Sequence, residues 1–216
     1  MARRNALALA LSCALSLVLL GGCFTGERPR FSDDPFPTGS LTGDSAIDAV
    51  LQRFDRVTTG PVTATYDVLT KFGNTTRQAM VVLDGGSRSV TVGSVRFIQT
   101  PADEATCTED GSLPCTQGLD ATRVSDVGIT IDFYAAEAAT RLRRDSQSKI
   151  GTSRPHAETI AGQPALCVDV TVAGGVAVYC ALDSGLVARL DDGDVAVNLA
   201  EFGSRADPTR FLVPSA

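Results

Sequence analysis

Cysteine and histidine are the residues of this chain that can take part in the widest range of reactions, and the sequence contains only a few of them. The 216 residues include six cysteines and a single histidine, His156. A serine–histidine hydrolase would have to use His156, but no serine stands in the Gly-x-Ser-x-Gly pattern of a nucleophile elbow. The sequence also has no glycine-rich phosphate-binding loop. We therefore expect a protein that is not an enzyme and needs no cofactor, with His156 on a surface loop.

Four of the cysteines, Cys107, Cys115, Cys167 and Cys180, lie in the body of the chain. An even number is typical of disulfides in an exported protein, and four cysteines allow three pairings. We expect neighbours to pair, so that Cys107–Cys115 closes a short acidic loop and Cys167–Cys180 bridges two adjacent strands. A zinc site is the rival interpretation. It is disfavoured because the spacings fit no common zinc pattern and the chain has one histidine, so no metal is expected.

The N-terminal segment has the three parts of an export signal. Arg3 and Arg4 supply the charge, an apolar run extends to Leu20, and two glycines precede Cys23. The run is shorter than the roughly 20 residues that a spanning helix needs. The residues LGGC that end at Cys23 resemble the lipobox of bacterial lipoproteins. This resemblance implies cleavage before Cys23 and a diacylglyceryl group on its sulfur, whereas a plain secretory signal would leave Cys23 unmodified.

Charge and composition limit the partners. The net charge is −6, and removing residues 1–22 takes away two arginines and no acid, which leaves −8. A chain this acidic is not expected to bind nucleic acid through a basic field. It is also repelled by anionic lipid headgroups, so the lipid on Cys23 is the expected membrane partner. These points predict a location on the extracytoplasmic face of the bacterial cell membrane.

The rest of the chain divides into a tether and one domain. Residues 23–43 are rich in proline, glycine and polar residues and predict a flexible tether. Residues 44–216 predict a single domain, which begins with a helix over 44–57 whose apolar residues recur at helical spacing. A second helix is expected over 132–149. Its expected buried residues are Ala135, Ala138, Ala139 and Leu142, and its expected solvated residues are Arg141, Arg143 and Arg144.

Short apolar–polar alternations separated by glycine and aspartate turns predict strands. Connections this short make neighbouring strands antiparallel, so the fold class is α+β with one large antiparallel sheet. The expected strands are 62–68, 76–83, 89–92, 95–99, 127–131, 157–160, 165–172, 176–181, 186–191 and 195–202.

This order of elements resembles the LolA/LppX/LprG class of lipoproteins and lipoprotein carriers. Three short stretches contribute to the resemblance: IAGQPA at 160–165, DSGL at 183–186 and DPTRFLVP at 207–214. The resemblance implies a curved sheet that forms an unclosed half-barrel, with two helices covering one face. It also implies that the concave face can hold acyl chains.

Two functions remain open from the sequence. The first is a binding protein that holds a lipid, a glycolipid or another amphiphile in the half-barrel. The candidate ligand-facing residues are Val62, Ala64, Tyr66, Val68, Met80 and Val82. The second is a packed protein of the cell envelope that senses or docks onto a protein partner, through its convex face or the Cys107–Cys115 loop. A cavity of several hundred cubic ångströms with apolar walls would favour the first.

Overall fold

A computed structural model describes residues 36–111, 113–120, 122–123 and 129–214. The expected signal over 1–22, the expected lipidation site Cys23 and the tether as far as residue 35 lie outside the described residues. Within them the chain forms one antiparallel sheet of eleven strands and two α-helices, so the predicted α+β fold is confirmed. None of the described helices is both long and apolar enough to cross a bilayer.

The helices are α1, Ser45–Phe54, and α2, Ala136–Ser148. The strands are β1 Val62–Thr70, β2 Thr75–Asp84, β3 Ser87–Val92, β4 Val95–Gln99, β5 Glu104–Thr108, β6 Thr116–Gln117, β7 Arg154–Ile160, β8 Gln163–Val172, β9 Gly175–Leu182, β10 Val187–Asp191 and β11 Val195–Gly203.

The first and last strands meet at the centre of the sheet. The strand order is β6-β5-β4-β3-β2-β1-β11-β10-β9-β8-β7. Apart from the central β1–β11 pair, every neighbouring pair is consecutive in the chain, because short turns return each strand beside its predecessor. The two edges, β6 and β7, do not pair with each other, so the sheet is the expected unclosed half-barrel.

The strand predictions agree with the structure except in the middle of the chain. β5 was expected to be part of an acidic loop, but its residues pair with β4, and Ala105 and Cys107 are buried. The expected strand over 127–131 falls partly outside the described residues. The described part contains Ile129 and Ile131, which are buried in the core without forming a strand.

Helix α1 packs its apolar stripe on one face of the sheet. Ile47, Val50, Leu51 and Phe54 are buried, as their spacing predicts. The chain just before α1 is held to it, because the Asp48 carboxylate accepts hydrogen bonds from the N–H groups of Thr42 and Gly43, at 2.7 and 3.1 Å. The end of the expected tether is therefore hydrogen-bonded to the domain.

Helix α2 begins later than expected and buries an arginine. Ala138, Ala139 and Leu142 are buried, as predicted. The prediction of a solvated face was wrong for Arg143, of which only 3% is exposed. Arg143 forms an ion pair with Asp55 and donates from Nε to the carbonyl of Ser40, at 3.0 Å. Since a paired and hydrogen-bonded charge can be buried, polarity alone did not reveal the orientation of this residue.

Both predicted cysteine pairs lie at disulfide distance. The Sγ atoms of Cys107 and Cys115 are 2.12 Å apart, and those of Cys167 and Cys180 are 2.06 Å apart. Cys167 and Cys180 stand directly opposite each other on β8 and β9. The first pair ties the β5–β6 connection, and the second crosslinks the neighbouring strands β8 and β9.

Acidification is expected to weaken the domain through Asp44, the residue before α1. Its carboxylate pairs with Lys149, accepts from Ser153, and accepts from the N–H groups of Ala46 and Ile47. The bond to Lys149, followed by that to Ser153, lowers the pKa of Asp44 from 3.8 to about 2. Because the folded pKa is the lower one, this stabilisation is complete above about pH 4 and is lost as pH falls toward about 2.

Urea unfolding at a series of pH values would measure this loss in the wild type and in Asp44→Asn. Asparagine also caps helices, so the variant removes the charge and keeps the cap. Over the same pH window the variant should lose less unfolding free energy than the wild type, by about 1 kcal/mol after solvent screening of the ion pair. Identical pH dependence of the two proteins would contradict this role.

Candidate functional site

The concave face of the sheet is packed rather than open. Val62, Ala64, Tyr66 and Val68 share this face, as expected, and each is at most 1% exposed. The ring of Phe133 lies edge-on against that of Tyr66, with centroids 5.3 Å apart. Burial raises the pKa of the Tyr66 hydroxyl, which makes no hydrogen bond to any described residue. The described part of the half-barrel therefore has a side-chain core where acyl chains were expected.

Two of the candidate ligand-facing residues lie on the opposite face. In the β1–β2 register, Ala64 is opposite Val81, whereas Met80 is opposite Thr65 and Val82 is opposite Thr63. A change of one position moves a side chain to the other face of a strand. The run from Ala79 to Leu83 is apolar throughout, so its alternation could not show which residues face the helices. Placing Met80 and Val82 with Val62 was therefore wrong.

The C-terminal segment contacts this opposite face. Arg210, in the short 3₁₀ turn Pro208–Phe211, donates from Nη2 to the Thr91 hydroxyl on β3, at 2.9 Å. Its Nη1 forms an ion pair with Glu109 at 2.6 Å. Thr91 is opposite Met80 in the β2–β3 register. The C-terminal segment therefore packs beside β3 on the face that Met80 and Val82 share.

Two neighbouring clefts open where α1, α2 and the sheet meet. The larger has a volume of about 320 Å3 and the smaller about 220 Å3. Val57 and Tyr134 line both clefts, so these side chains stand between them. The larger cleft is also lined by Thr38, Phe54, Asp55, Asp132, Ala135, Ala136, Ala139 and Arg143. The smaller is also lined by Thr58, Thr59, Leu83, Asp84, Gly86, Ser87 and Arg88. We call the two together the divided cleft.

Tyr134 is held in place from three sides. Its carbonyl accepts from the N–H of Val187 on β10, at 2.8 Å, and its ring lies edge-on against Phe133. Its hydroxyl lies 3.5 Å from Nη1 of Arg88. Burial raises the pKa of this hydroxyl, and the bond from Arg88 only partly offsets that effect. Tyr134 is therefore neutral and presents one apolar ring to both halves of the cleft.

Two ion pairs border the divided cleft. Arg88 pairs with Asp132 and donates from Nε to the side-chain oxygen of Gln99, at 2.6 Å. Arg143 pairs with Asp55, and the Asp55 carboxylate also accepts from the N–H of Gly39, at 3.1 Å. Each arginine is matched by one carboxylate. The charges of these two pairs cancel, and Asp84, which also lines the smaller half, adds one further carboxylate.

His156 lies on β7, an edge strand, rather than in the expected loop. Its side chain is 33% exposed. Nε2 lies 3.2 Å from Glu158 Oε1, and Nδ1 lies 3.7 Å from Asp169 Oδ1. The Cys167–Cys180 disulfide is adjacent, because His156 is opposite Cys167 in the β7–β8 register.

The sequence did not indicate that the residues of the divided cleft line a common cleft. Asp132 and Tyr134 come from a segment without helical or strand periodicity, and Arg88 follows an ordinary hairpin turn. The one usable signal was the Phe133-Tyr134 pair directly before a helix, in a chain with few aromatic residues. Such a pair indicates a buried anchor but gives no information on a cleft beside it.

Comparison with known proteins gives similarity in fold only. The sequence matches no family model and no curated protein. Among solved structures, MucB in complex with MucA(peri) is 12% identical with a TM-score of 0.40, over 76% of this chain and 57% of that one. LprF from Mycobacterium bovis is 14% identical with a TM-score of 0.39, over 77% and 96% of the two chains. A LolA superfamily protein from Nitrosomonas europaea is 10% identical with a TM-score of 0.27, over 76% and 96%.

Proposed function

We propose that this protein is a lipid-anchored protein of the bacterial cell envelope whose folded domain binds a small amphiphile in the divided cleft. The anchor is the diacylglyceryl group predicted on Cys23, and the domain lies on the extracytoplasmic side of the membrane. Two cysteine pairs at disulfide distance support that side, because disulfides persist in oxidising compartments. The proposal includes no catalytic step.

The observation that carries the binding role is the divided cleft itself. Ligand pockets are concave, largely apolar, and contain a few polar groups that orient the ligand. The larger half meets this description, with Phe54, Ala135 and Ala139 as apolar walls and a volume of about 320 Å3. That volume is at the lower end of the range for small-molecule sites, which is roughly 300–1,000 Å3. We therefore assign the cleft to one short apolar chain rather than to a whole membrane lipid.

The border of the cleft indicates the chemistry of the polar head. Arg88 and Arg143 are each neutralised by a carboxylate, so an anionic head would meet no unpaired cation there. A head with hydroxyl groups can donate to Asp55 or Asp132 and accept from the arginines without separating either pair. An uncharged, hydroxyl-rich head, as in a glycolipid, therefore fits best.

Native mass spectrometry tests the binding role. The domain from Phe24 onward would be produced in a disulfide-forming compartment and kept free of detergent. Because it lacks Cys23 and the covalent lipid, added mass must come from a bound molecule. A discrete adduct in the mass range of a single-chain amphiphile would support the proposal. A bare protein mass, also after incubation with single-chain glycolipids, would contradict it.

Ala136→Trp is expected to remove the adduct by filling the larger half of the cleft. Ala136 is exposed at the start of α2 and lines the cleft, so the indole can enter it without displacing core residues. We expect the bound fraction to fall at least about tenfold, which corresponds to about 1.4 kcal/mol of lost binding. Gln147→Trp, on an exposed position of the same helix, is the matched control and should leave the adduct intact.

A second candidate function is docking onto a protein partner of the envelope. The closed concave face favours it, because a carrier of large lipids would need that face open. The Cys107–Cys115 loop is a suitable contact, since Leu113 is 59% exposed and the crosslink reduces the entropy lost on binding. Photo-crosslinking from position 113 in intact cells tests this role. A discrete partner, together with a bare mass in the experiment above, would favour docking over amphiphile binding.

A further inference from the structure

Four chemically active side chains form one row across four neighbouring strands. His156 on β7 is opposite Cys167 on β8, Cys167 is opposite Cys180 on β9, and Cys180 is opposite Arg189 on β10. Residues in register share a face of the sheet. Tyr179, beside Cys180, points to the other face, where its hydroxyl donates to Asp145 of α2 at 2.7 Å. The row therefore lies on the face away from the helices and is independent of the divided cleft.

The distances within this row approach those of a metal centre. A ring nitrogen of His156 and the Sγ atoms of Cys167 and Cys180 all lie within 4.8 Å of one another. In a tetrahedral zinc site, Zn–S bonds of about 2.3 Å and Zn–N bonds of about 2.0 Å place ligand atoms about 3.5 Å apart. The sulfurs are closer than this because they are bonded to each other. Breaking that bond allows them to separate without moving either strand out of register.

The groups around His156 are those that support a metal-binding imidazole. Each ring nitrogen faces a carboxylate, Glu158 for Nε2 and Asp169 for Nδ1. If Nδ1 binds a metal, the N–H at Nε2 has Glu158 within hydrogen-bond distance, at 3.2 Å, as the acceptor that fixes the tautomer. Arg189, which is opposite Cys180, pairs with Glu158 at 3.0 Å. Glu158 is therefore held between the guanidinium of Arg189 and the imidazole of His156.

We infer that the Cys167–Cys180 disulfide conceals a zinc site, which forms from Cys167, Cys180 and His156 when the disulfide is reduced. Reduction requires a dithiol reductant, which gives two electrons and two protons to the disulfide and becomes a disulfide itself. Binding of Zn2+ then releases the two thiol protons as both sulfurs become ligands. Asp169 or a water molecule completes the four-coordinate shell. Glu158, which is not a ligand, holds the imidazole.

The second disulfide provides an internal comparison. His156 is the only histidine in the sequence, and it lies beside Cys167. Cys107 and Cys115, which are tied across β5 and the start of β6, consequently have no imidazole available. Two thiolates alone bind zinc more weakly than two thiolates and an imidazole. Reduction should therefore create one zinc site in the chain and not two.

Titration of the whole chain with zinc tests the inference. The purified protein would be reduced with a phosphine, freed of reductant without air, and titrated with Zn2+ against a chromophoric chelator. We expect one zinc ion per reduced chain and none in the oxidised protein. Co2+ in place of Zn2+ should give a thiolate-to-metal charge-transfer band. Zinc should raise the Tm of the reduced chain only, because it binds that folded form.

Three variants separate this site from general thiol binding. The pair Cys107→Ser and Cys115→Ser should keep the zinc ion, whereas the pair Cys167→Ser and Cys180→Ser should lose it. His156→Ala keeps both disulfides and should lower the zinc affinity of the reduced chain at least about tenfold. Equal zinc affinity in His156→Ala and the wild type would overturn the inference. So would a reduced wild type that binds no zinc, including one that circular dichroism shows to be unfolded.

Discussion

Replacing Gly185 with alanine is expected to lower the free energy of unfolding by about 2–5 kcal/mol. Gly185 lies in the β9–β10 turn with φ of +82°, which a residue with a Cβ rarely adopts. An added Cβ would also lie 2.7 Å from the carbonyl oxygen of Arg53, and 2.8 Å from both the Arg56 carbonyl oxygen and Val57 Cα. These are backbone atoms, so no side-chain rotation can relieve the contacts.

The same turn fixes the end of α1 beside the divided cleft. The N–H of Thr58 donates to the carbonyl of Ser184 at 2.8 Å, and Arg53 pairs with Asp183 at 2.8 Å. An alanine at 185 must push this turn away from α1. Because Val57 stands between the two halves of the cleft, the change should disturb amphiphile binding together with stability.

Gly162→Ala is the matched control for this prediction. Gly162 has a similar φ of +73°, but a Cβ there would have no heavy atom within 4 Å. Its expected cost is the conformational one alone, about 1–2 kcal/mol. Urea unfolding of the two variants isolates the contribution of the close contacts at Gly185. Equal losses in the two variants would show that the α1 contact is not rigid.

The sequence was informative wherever local pattern and turn chemistry decide the structure. The strands from Arg154 to Gly203 are short alternating runs between glycine and aspartate turns, so their antiparallel order was predictable. Their bounds were close to those expected except at β7, which begins at Arg154 rather than at 157. The cysteine pairing followed from the same reasoning, because neighbouring strands bring Cys167 and Cys180 face to face. The central β1–β11 pair joins the two ends of the domain, and no local pattern specifies such a contact.

The site was less predictable because it depends on how polar groups pair across the fold. Arg143 is polar in sequence and buried in structure because Asp55, from the other helix, neutralises it. Met80 was assigned to the wrong face because apolar residues are buried on both faces of β2, Val81 on one and Val82 on the other. In each case the orientation of the side chain depends on a contact with a residue that is more than 50 positions away or on a different layer. Alternation along one strand or helix contains no information about such a contact.

Arg143→Met is expected to destabilise the domain by about 3–5 kcal/mol. The side chains of Arg143 and Asp55 are only 4% and 13% exposed, so removal of the arginine leaves a carboxylate desolvated without its partner. The variant also removes the donor to the Ser40 carbonyl, which anchors the segment before α1. Methionine keeps most of the side-chain volume, so the loss measures charge and hydrogen bonding rather than a cavity. Urea unfolding of the oxidised domain would give this free energy.

A double-mutant cycle with Asp55→Asn distinguishes the ion pair from other effects of the substitution. If the two side chains act as a pair, the double variant should lose clearly less than the sum of the single variants, since neither charge is then left alone. Arg144→Met, at the next and half-exposed position, is the control and should cost about 1 kcal/mol or less. Strict additivity at 143 and 55 would mean that each residue is stabilised by other contacts.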